Sequence, residues 1–240
     1  MPTVVFMSSK GGAGKTTAAL VLALEIAARG ERVALVDADP NLPLFRWGAL
    51  VGKPSNVMVF PAASLDELRD VLPVAQSWAD WVVVDTEGSA AARELIPAIS
   101  PDLVLIPVGP SPLEAHEAIK SSKALQAMSR LWELPIPHAC VFTRVPAAIR
   151  TRSMAETVQQ LRDADIRMLE TPLIEKEAFR RLFATGGPLE PSALAVAESP
   201  TAARTNAERY AANVVWLLQN EWRTPVIPAI VRPVAVPARF

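Results

Sequence analysis

The sequence predicts a doubly wound α/β domain, in which a mostly parallel sheet carries helices on both faces. Short runs of β-branched and other apolar residues alternate along the chain with longer segments of helical character. The short runs are almost continuously apolar, as expected of parallel strands that are buried on both faces. With 240 residues, half of them hydrophobic and a fifth charged, the composition is that of a globular domain with a large core.

The predicted strands are bounded by turn residues and, in most cases, separated by a helix. Trp81–Val84 is apolar throughout, whereas Val57–Phe60 is the weaker pattern. In chain order the predicted strands are Val4–Ser8, Arg32–Val36, Val57–Phe60, Trp81–Val84, Leu103–Val108, His138–Thr143 and Ile166–Glu170.

The predicted helices fill the intervals between these strands and the end of the domain. Gly30 ends the first of them, and Pro73 is expected to interrupt the second because proline lacks an N–H donor. In chain order the predicted helices are Thr16–Arg29, Leu65–Trp78, Ala90–Ile99, Leu113–Trp132, Met154–Asp163, Lys176–Ala184 and Ala202–Trp222.

The domain is expected to span residues 1–223, followed by an extended, proline-rich tail at 224–240. Four prolines exclude a regular helix in the tail, yet its valines and isoleucines are too apolar for a simple solvated linker. Two interpretations stay open: an arm packed on its own domain, or an arm that docks on a partner subunit.

Charge and cysteine content exclude several classes. The net charge of −1 excludes a basic surface over the whole molecule, so nucleic-acid binding requires a local patch. Cys140 is the single cysteine, which excludes a disulfide framework and favours a reducing, cytoplasmic compartment. No run reaches the roughly 18 apolar residues of a membrane span, so stable membrane insertion is not expected.

A glycine-rich segment lies between the first strand and the first helix, where a phosphate-binding loop must lie. Its backbone N–H groups are expected to cradle the phosphates of ATP or ADP. Lys15 is expected to reach the β- and γ-phosphates, and the Thr16 hydroxyl to ligate Mg²⁺. The strict pattern has glycine where this chain has Ser9, which is followed by Lys10. The predicted nucleotide-binding residues of this loop are Gly11, Gly12, Ala13, Gly14, Lys15, Thr16 and Thr17.

Three aspartates follow predicted strands and are expected at the carboxyl edge of the sheet, beside this loop. Asp85 ends the apolar run at Trp81–Val84 and suits a Walker B role, in which it holds Mg²⁺ directly or through water. One of Asp37 and Asp39 is expected to orient the attacking water.

At these residues the chain resembles the ParA/MinD family of deviant Walker A ATPases, which partition DNA and position cell machinery. The resemblance rests on Lys10–Thr17, Val33–Pro40 and Val82–Thr86, and extends more loosely to Thr171–Gly187. The segment Asp37–Trp47 is most similar to a ParA-like subgroup that serves plasmid maintenance and conjugative or T-DNA transfer.

The resemblance implies a mechanism in which ATP is sandwiched between two subunits. Lys10 would reach the partner's phosphates, Asp39 would position the water, and Asp85 would support Mg²⁺, so that the implied catalytic residues are Lys10, Lys15 and Asp39. The ATP dimer would bind DNA nonspecifically, and a ParB-like or other partner would stimulate slow hydrolysis. The family holds the adenine at late strand ends, which here carry Thr143, Arg144 and Pro172.

The chain departs from the family pattern after Asp85, and its second half carries basic residues. Glu87-Gly88 stands where partition ATPases usually carry two prolines, so Glu87 either places a negative charge near the γ-phosphate or faces solvent. Positive charge in the second half of the chain is a candidate DNA-binding surface. The candidate DNA-contacting residues are Arg150, Arg152, Arg180 and Arg181.

Two alternatives remain at this point. A MinD-like switch would position proteins or membranes, although the proline-broken C-terminus disfavours an amphipathic membrane helix. A metabolic P-loop ligase or kinase would need a substrate pocket and would give Lys10 no special role.

Overall fold

The computed structural model describes residues 1–146, 152–187 and 200–220. At its centre is a six-stranded sheet in the order β3-β2-β4-β1-β5-β6, in which every neighbouring pair is parallel. The strands are β1 Thr3–Phe6, β2 Val33–Ala38, β3 Val57–Pro61, β4 Trp81–Thr86, β5 Leu103–Val108 and β6 His138–Phe142.

Helices occupy the connections between the strands and follow the last of them. A 3₁₀ helix at Ala90–Leu95 leads directly into the single turn of α4. The α-helices are α1 Lys15–Ala27, α2 Pro43–Gly48, α3 Leu65–Trp78, α4 Ile96–Ile99, α5 Pro112–Trp132, α6 Arg152–Asp163, α7 Glu177–Thr185 and α8 Pro200–Asn220. None of these helices has both the length and the apolar character needed to cross a bilayer.

The sheet builds two hydrophobic cores because successive strand residues point to opposite faces. Val4 and Phe6 face the layer formed by α1, α2, α7 and α8. Val5, with Met7 just beyond the strand, faces the layer formed by α3, α4, α5 and α6. All four side chains are buried. The predicted doubly wound α/β fold is therefore confirmed.

The strand order places β1 in the middle of the sheet, between β4 and β5. The parallel register sets Asp85 beside Phe6 on one side and beside Asp37 on the other. The loops that follow β1, β2 and β4 therefore leave the sheet together at its carboxyl edge, where ligands bind in open α/β sheets.

Helix α3 runs without a break through Pro73, so the predicted interruption is wrong. Ser64 caps the helix by accepting a hydrogen bond from the Glu67 N–H at 3.2 Å. Leu68 and Leu72 bury one face against the sheet, while Pro73 lies on the exposed face. Water can therefore bond the carbonyl that proline leaves unpaired, and the buried face holds the helix together.

The predicted strand Ile166–Glu170 is wrong in extent, since it contributes only an isolated parallel bridge between Cys140 and Met168. The Cys140 and Leu169 N–H groups each make a 2.8 Å backbone bond across this bridge. The ladder then stops and resumes only when the Leu173 N–H reaches the Phe142 carbonyl at 2.7 Å. Pro172 lies in the gap and has no N–H with which to continue a ladder. Residues 221–240 lie outside the described residues, so the tail and the boundary at 223 stay predictions.

Candidate functional site

The loop between β1 and α1 adopts a conformation that requires glycine at two positions. Gly12 and Gly14 have φ values of 80° and 82°, in the left-handed region that side chains disfavour. Helix α1 begins directly after Gly14, and no side chain caps its N-terminus. The N–H groups of its first turn are therefore available to an anion, which is the arrangement that phosphate oxygens need.

Side chains on both sides brace this loop. The Thr143 hydroxyl, at the end of β6, donates to the Ala13 carbonyl at 2.7 Å. A Cβ on Gly14 would lie only 3.2 Å from the Thr143 Cβ, so the Thr143 side chain packs closely on the Gly14 backbone. The Ser8 hydroxyl donates to the Lys10 carbonyl at 2.7 Å. The Thr143 hydroxyl thus supports the phosphate loop, and the expected place of this residue beside the adenine stays a prediction.

Lys15 and Asp85 form the buried, charged centre of the carboxyl edge. Lys15 is 6% exposed and Asp85 is inaccessible. Burial lowers the pKa of Lys15, and the carboxylates of Asp85, Asp39 and Glu87 oppose that change. Burial raises the pKa of Asp85 to about 7, against the opposing effects of the nearby Thr16 side chain and the Lys15 ammonium. Neither carboxylate oxygen of Asp85 has a hydrogen-bond partner among the described residues.

This orphaned carboxylate fits a magnesium ion. A buried carboxylate without hydrogen bonds is costly as an anion unless a cation shares its charge. Thr16 adds a hydroxyl oxygen beside Asp85, and Mg²⁺ favours such hard oxygen ligands together with waters and substrate phosphates. Residues 1–146, 152–187 and 200–220 contain no cluster of three or more His, Cys, Asp or Glu side chains suited to a metal. A magnesium ion held by Thr16 and Asp85 would therefore complete its coordination with water or nucleotide oxygens.

Asp37 is as buried as Asp85 but is bonded to the backbone. Its carboxylate accepts the Phe45 N–H at 2.8 Å and the Asp39 N–H at 3.3 Å. Burial raises the pKa of Asp37, and these backbone hydrogen bonds oppose that rise. The bond to Phe45 holds the first turn of α2, a helix that the sequence analysis did not predict. Asp37 therefore shapes the loop that carries Asp39.

Asp39 is partly exposed, in contrast to Asp37. Its Oδ1 accepts hydrogen bonds from the Asn41 backbone N–H at 2.8 Å and from the Asn41 side chain at 3.0 Å. Its charge also acts on the Lys15 ammonium. Of the two aspartates that the sequence left as alternatives, Asp39 is thus the one accessible to a water molecule.

Gly88 explains part of the unusual Glu87-Gly88 pair. A Cβ on Gly88 would lie 2.6 Å from the Gly11 Cα and 2.7 Å from the Lys10 carbonyl carbon, so only glycine fits without displacing the phosphate loop. Glu87 is half-buried and accepts a hydrogen bond from the Ser89 hydroxyl. Since its charge also acts on Lys15, Glu87 belongs to the phosphate-loop edge rather than to open solvent.

The region predicted to hold the adenine lies between β6 and α8. Asn206 of α8 donates to the Pro172 carbonyl at 2.8 Å and accepts the Ile174 N–H at 2.9 Å, which clamps the loop from both ends. A cavity of about 580 Å³ opens between this loop and the start of α8, and Pro172 is part of its lining. Arg144 forms an ion pair with Glu114 at 2.6 Å. Asn206 had no local sequence signal, because its partners are more than 30 residues away.

Two of the candidate DNA-contacting arginines are paired with glutamates among the described residues. Arg152, at the start of α6, pairs with Glu156 at 2.9 Å. Arg180, on α7, pairs with Glu175 and with Glu177, the latter at 3.2 Å. Arg181 is the neighbour of Arg180 and is half-buried. Arg150 lies outside the described residues.

Comparison with known sequences identifies relatives over nearly the whole chain. Residues 1–218 match the model of the VirC1 protein family. The chain is 37% identical over 214 residues to the ParA protein of Rhizobium radiobacter, covering 88% of this chain and 95% of that protein. It is 32% identical over 191 residues to the VirC1 protein of Rhizobium rhizogenes, covering 78% of this chain and 82% of that protein.

Solved structures share the fold at low sequence identity. McdA from Cyanothece, without ligand, superposes with a TM-score of 0.71 at 19% identity and covers 89% of this chain and 99% of its own. The septum site-determining protein MinD from Pyrococcus horikoshii, in complex with Mg-ADP, gives a TM-score of 0.67 at 18% identity, with coverages of 91% and 97%.

Proposed function

Because the chain belongs to the VirC1 family of ParA/MinD-like ATPases, we propose that it binds Mg-ATP, dimerises around the nucleotide and hydrolyses it slowly. Two neighbouring features carry this proposal. The carboxylate of Asp85 is buried without a hydrogen-bond partner among the described residues, and no side chain caps the N-terminus of α1, which follows the phosphate loop. Such a pair is unfavourable in isolation and is satisfied when a metal-bound phosphate enters.

Each residue of the edge has a role in this proposal. The N–H groups of residues 11–17 hold the phosphates, and Lys15 neutralises the β- and γ-phosphates. Thr16 and Asp85 hold Mg²⁺, which when bound offsets the negative charge that develops on the phosphates. Asp39 orients the water that attacks the γ-phosphorus, so that ATP and water give ADP and phosphate.

The same proposal assigns Lys10 to the partner subunit's nucleotide. Lys10 is exposed at the rim of the phosphate loop, so its ammonium can extend beyond its own subunit. Two subunits that face each other through this rim would each supply a lysine to the other's phosphates. Dimerisation would then depend on ATP, and hydrolysis would release the dimer.

We further propose that the ATP dimer binds DNA without sequence preference, and that a ParB-like or other partner stimulates hydrolysis. Pairing two subunits doubles the number of phosphate contacts that a weak basic surface can make, which steepens the salt dependence of binding. Because Arg152 and Arg180 lie beside glutamates, each subunit alone offers little net positive charge there. Binding by one subunit alone would therefore be weak, and the proposal requires the contacts of both subunits.

An electrophoretic mobility shift with nonspecific duplex DNA tests this function. Wild type, Asp39→Ala and Lys15→Ala are compared without nucleotide, with Mg-ADP and with Mg-ATP. The expected result is a shift that requires Mg-ATP, strengthens in Asp39→Ala, weakens with salt and disappears in Lys15→Ala. An ATP-dependent dimer that ignores DNA would support the MinD-like alternative, in which the cargo is a protein or a membrane. ATP turnover without any dimer would support the metabolic alternative.

A further inference from the structure

The main chain at Lys10 is held by contacts from three directions. The Ser8 hydroxyl donates to the Lys10 carbonyl at 2.7 Å. On the residue before Lys10, the Ser9 hydroxyl donates to Oε2 of Glu117 at 2.9 Å. Gly88 packs so closely that a Cβ there would lie 2.7 Å from the Lys10 carbonyl carbon. Lys10 is therefore an exposed side chain on a backbone that its neighbours hold in place.

Of the residues that make these contacts, Glu117 is the one that lies on a helix. It lies 108 residues from Ser9 in sequence, on α5, whose buried residues Ala118 and Leu125 pack under the sheet. Its second oxygen accepts the Lys120 ammonium at 3.2 Å. The hydrogen bond from Ser9 and the interaction with Lys120 lower the pKa of Glu117, so the carboxylate stays ionised as an acceptor.

The contact between Ser9 and Glu117 crosses a gap rather than a packed interface. A cavity of about 190 Å³ lies between the phosphate loop and α5, and both residues line it together with Lys10. Where side chains are not packed, a charge-assisted hydrogen bond is the stronger restraint on position. Ser9 also stands where the strict phosphate-loop pattern has glycine, which has no side chain to anchor.

We propose that Glu117 is a positioning residue that acts through the Ser9 hydroxyl to fix the backbone of Lys10, so that its ammonium is presented to the partner subunit's nucleotide. The inference rests on the proposed ATP-dependent dimer and adds the residue that prepares it. A lysine side chain loses much rotamer freedom when it is ordered in an interface, and a fixed backbone lowers the remaining cost of association.

The test compares dimer dissociation constants in Mg-ATP, measured by sedimentation velocity in the Asp39→Ala background to suppress turnover. Glu117→Ala and Ser9→Ala should each weaken the dimer about tenfold, because a charge-assisted hydrogen bond is lost at two symmetric sites. The double variant should be no weaker than either single variant. Glu117→Gln should retain most of the affinity, because its amide oxygen still accepts from Ser9. His116→Ala, on the exposed face of the same helix, is the matched control.

A second readout separates positioning of Lys10 from general damage to the loop. Mg-ADP does not support the proposed dimer, so its affinity, measured with a fluorescent ADP analogue, reports on the phosphate loop alone. The expected change in Glu117→Ala is within about twofold, since Glu117 bonds Ser9 and not the N–H groups that face phosphate.

The outcomes distinguish this inference from the function on which it rests. If wild type stays monomeric in Mg-ATP, the proposed function and this inference both fail. If Lys10→Ala weakens the dimer but Glu117→Ala does not, only the inference fails. It is also overturned if ADP affinity falls in step with dimerisation, or if the effects of Ser9→Ala and Glu117→Ala multiply in the double variant.

Discussion

The ends of β2 and β4 each carry a buried aspartate, but only the one on β2 is hydrogen-bonded by the part of the chain that the structure describes. Asp37 and Asp85 are adjacent in the register of the sheet, and both are fully buried. Asp37 accepts two backbone N–H groups from the loop and helix that follow it. Asp85 has no hydrogen-bond partner among the described residues. At β2 the chain satisfies the carboxylate with its own backbone, whereas at β4 the carboxylate is left for the proposed magnesium ion.

This contrast shows how a structural carboxylate can be told from a functional one. Buried polar groups are almost always hydrogen-bonded, so an unpaired one calls for a specific explanation. Burial alone does not separate the two aspartates, since it raises the pKa of both. Their hydrogen bonds do separate them: Asp37 is bonded within the loop that it shapes, whereas Asp85 is free for the proposed metal.

The largest expected effect concerns the third aspartate of this edge. Asp39→Ala should slow ATP hydrolysis on the order of a hundredfold, because water loses its orienting group. ATP binding should persist, since the Asp39 side chain makes hydrogen bonds only to Asn41 among the described residues. Single-turnover hydrolysis of radiolabelled ATP measures the rate. An unchanged rate would show that Asp39 does not act on the water, and Asn41→Ala controls for loss of the local turn.

Asp85→Asn should abolish most of the gain in ATP affinity that magnesium provides. Affinity for ATP in the presence of Mg²⁺ is expected to fall on the order of tenfold to a hundredfold, as is typical when a group that supports a metal is removed. Affinity without Mg²⁺ should be unchanged or improved, because the uncompensated buried charge is gone. Titration calorimetry with and without Mg²⁺ gives both numbers. A variant that keeps the full magnesium effect would remove Asp85 from the proposed site.

Asp37→Asn should instead act on stability. We expect a loss of about 1–3 kcal/mol in the free energy of unfolding, because the Phe45 N–H at the start of α2 loses a charged acceptor. The magnesium dependence of ATP affinity in the folded fraction should be unchanged. Urea unfolding without ligand measures the loss. The comparison between the two strand ends fails if Asp37→Asn and Asp85→Asn show the same pattern of effects.

The smallest expected effect is a difference in pH dependence without ligand. Burial raises the pKa of Asp85 from 3.8 to about 7, so the folded chain binds more protons than the unfolded chain in that window. Stability should therefore fall as pH rises from about 4 to 7. Removing the charge in Asp85→Asn should reduce this fall, because the variant lacks the carboxylate that binds the extra proton in the folded chain. The measurement is the thermal midpoint against pH.

Glu25 provides the matched control for that profile. Burial, assisted by Glu208, raises the pKa of Glu25 on α1 to about 7, which gives a slope of the same sign. Glu25→Gln should flatten the profile without altering the magnesium dependence of ATP affinity. A profile that is insensitive to Asp85→Asn but flattened by Glu25→Gln would contradict the unsatisfied state assigned to Asp85.

The sequence predicted the parts of this edge that are encoded by residues close together in the chain. The phosphate loop is one contiguous motif between a strand and a helix, and its glycines, Lys15 and Thr16 are recognisable from spacing alone. The fold followed from the alternation of apolar runs and helices, and both it and the family are confirmed.

What the sequence did not predict depends on contacts between distant residues. The different bonding of Asp37 and Asp39 arises from the path of the chain into α2, which turns back so that the Phe45 N–H meets Asp37. The anchor of Ser9 on Glu117 joins residues 108 positions apart. The apolar run at Ile166–Glu170 has the composition of a strand, but Pro172 prevents the ladder from continuing.

The most direct test of the central claim is the mass of the protein in solution with each nucleotide. Sedimentation velocity of wild type and Lys10→Ala is run without nucleotide, with Mg-ADP and with Mg-ATP. We expect a wild-type dimer in Mg-ATP alone, and a Lys10→Ala protein that binds ATP but stays largely monomeric. A wild type that binds Mg-ATP and remains a monomer, or a Lys10→Ala variant that dimerises as wild type does, would contradict it.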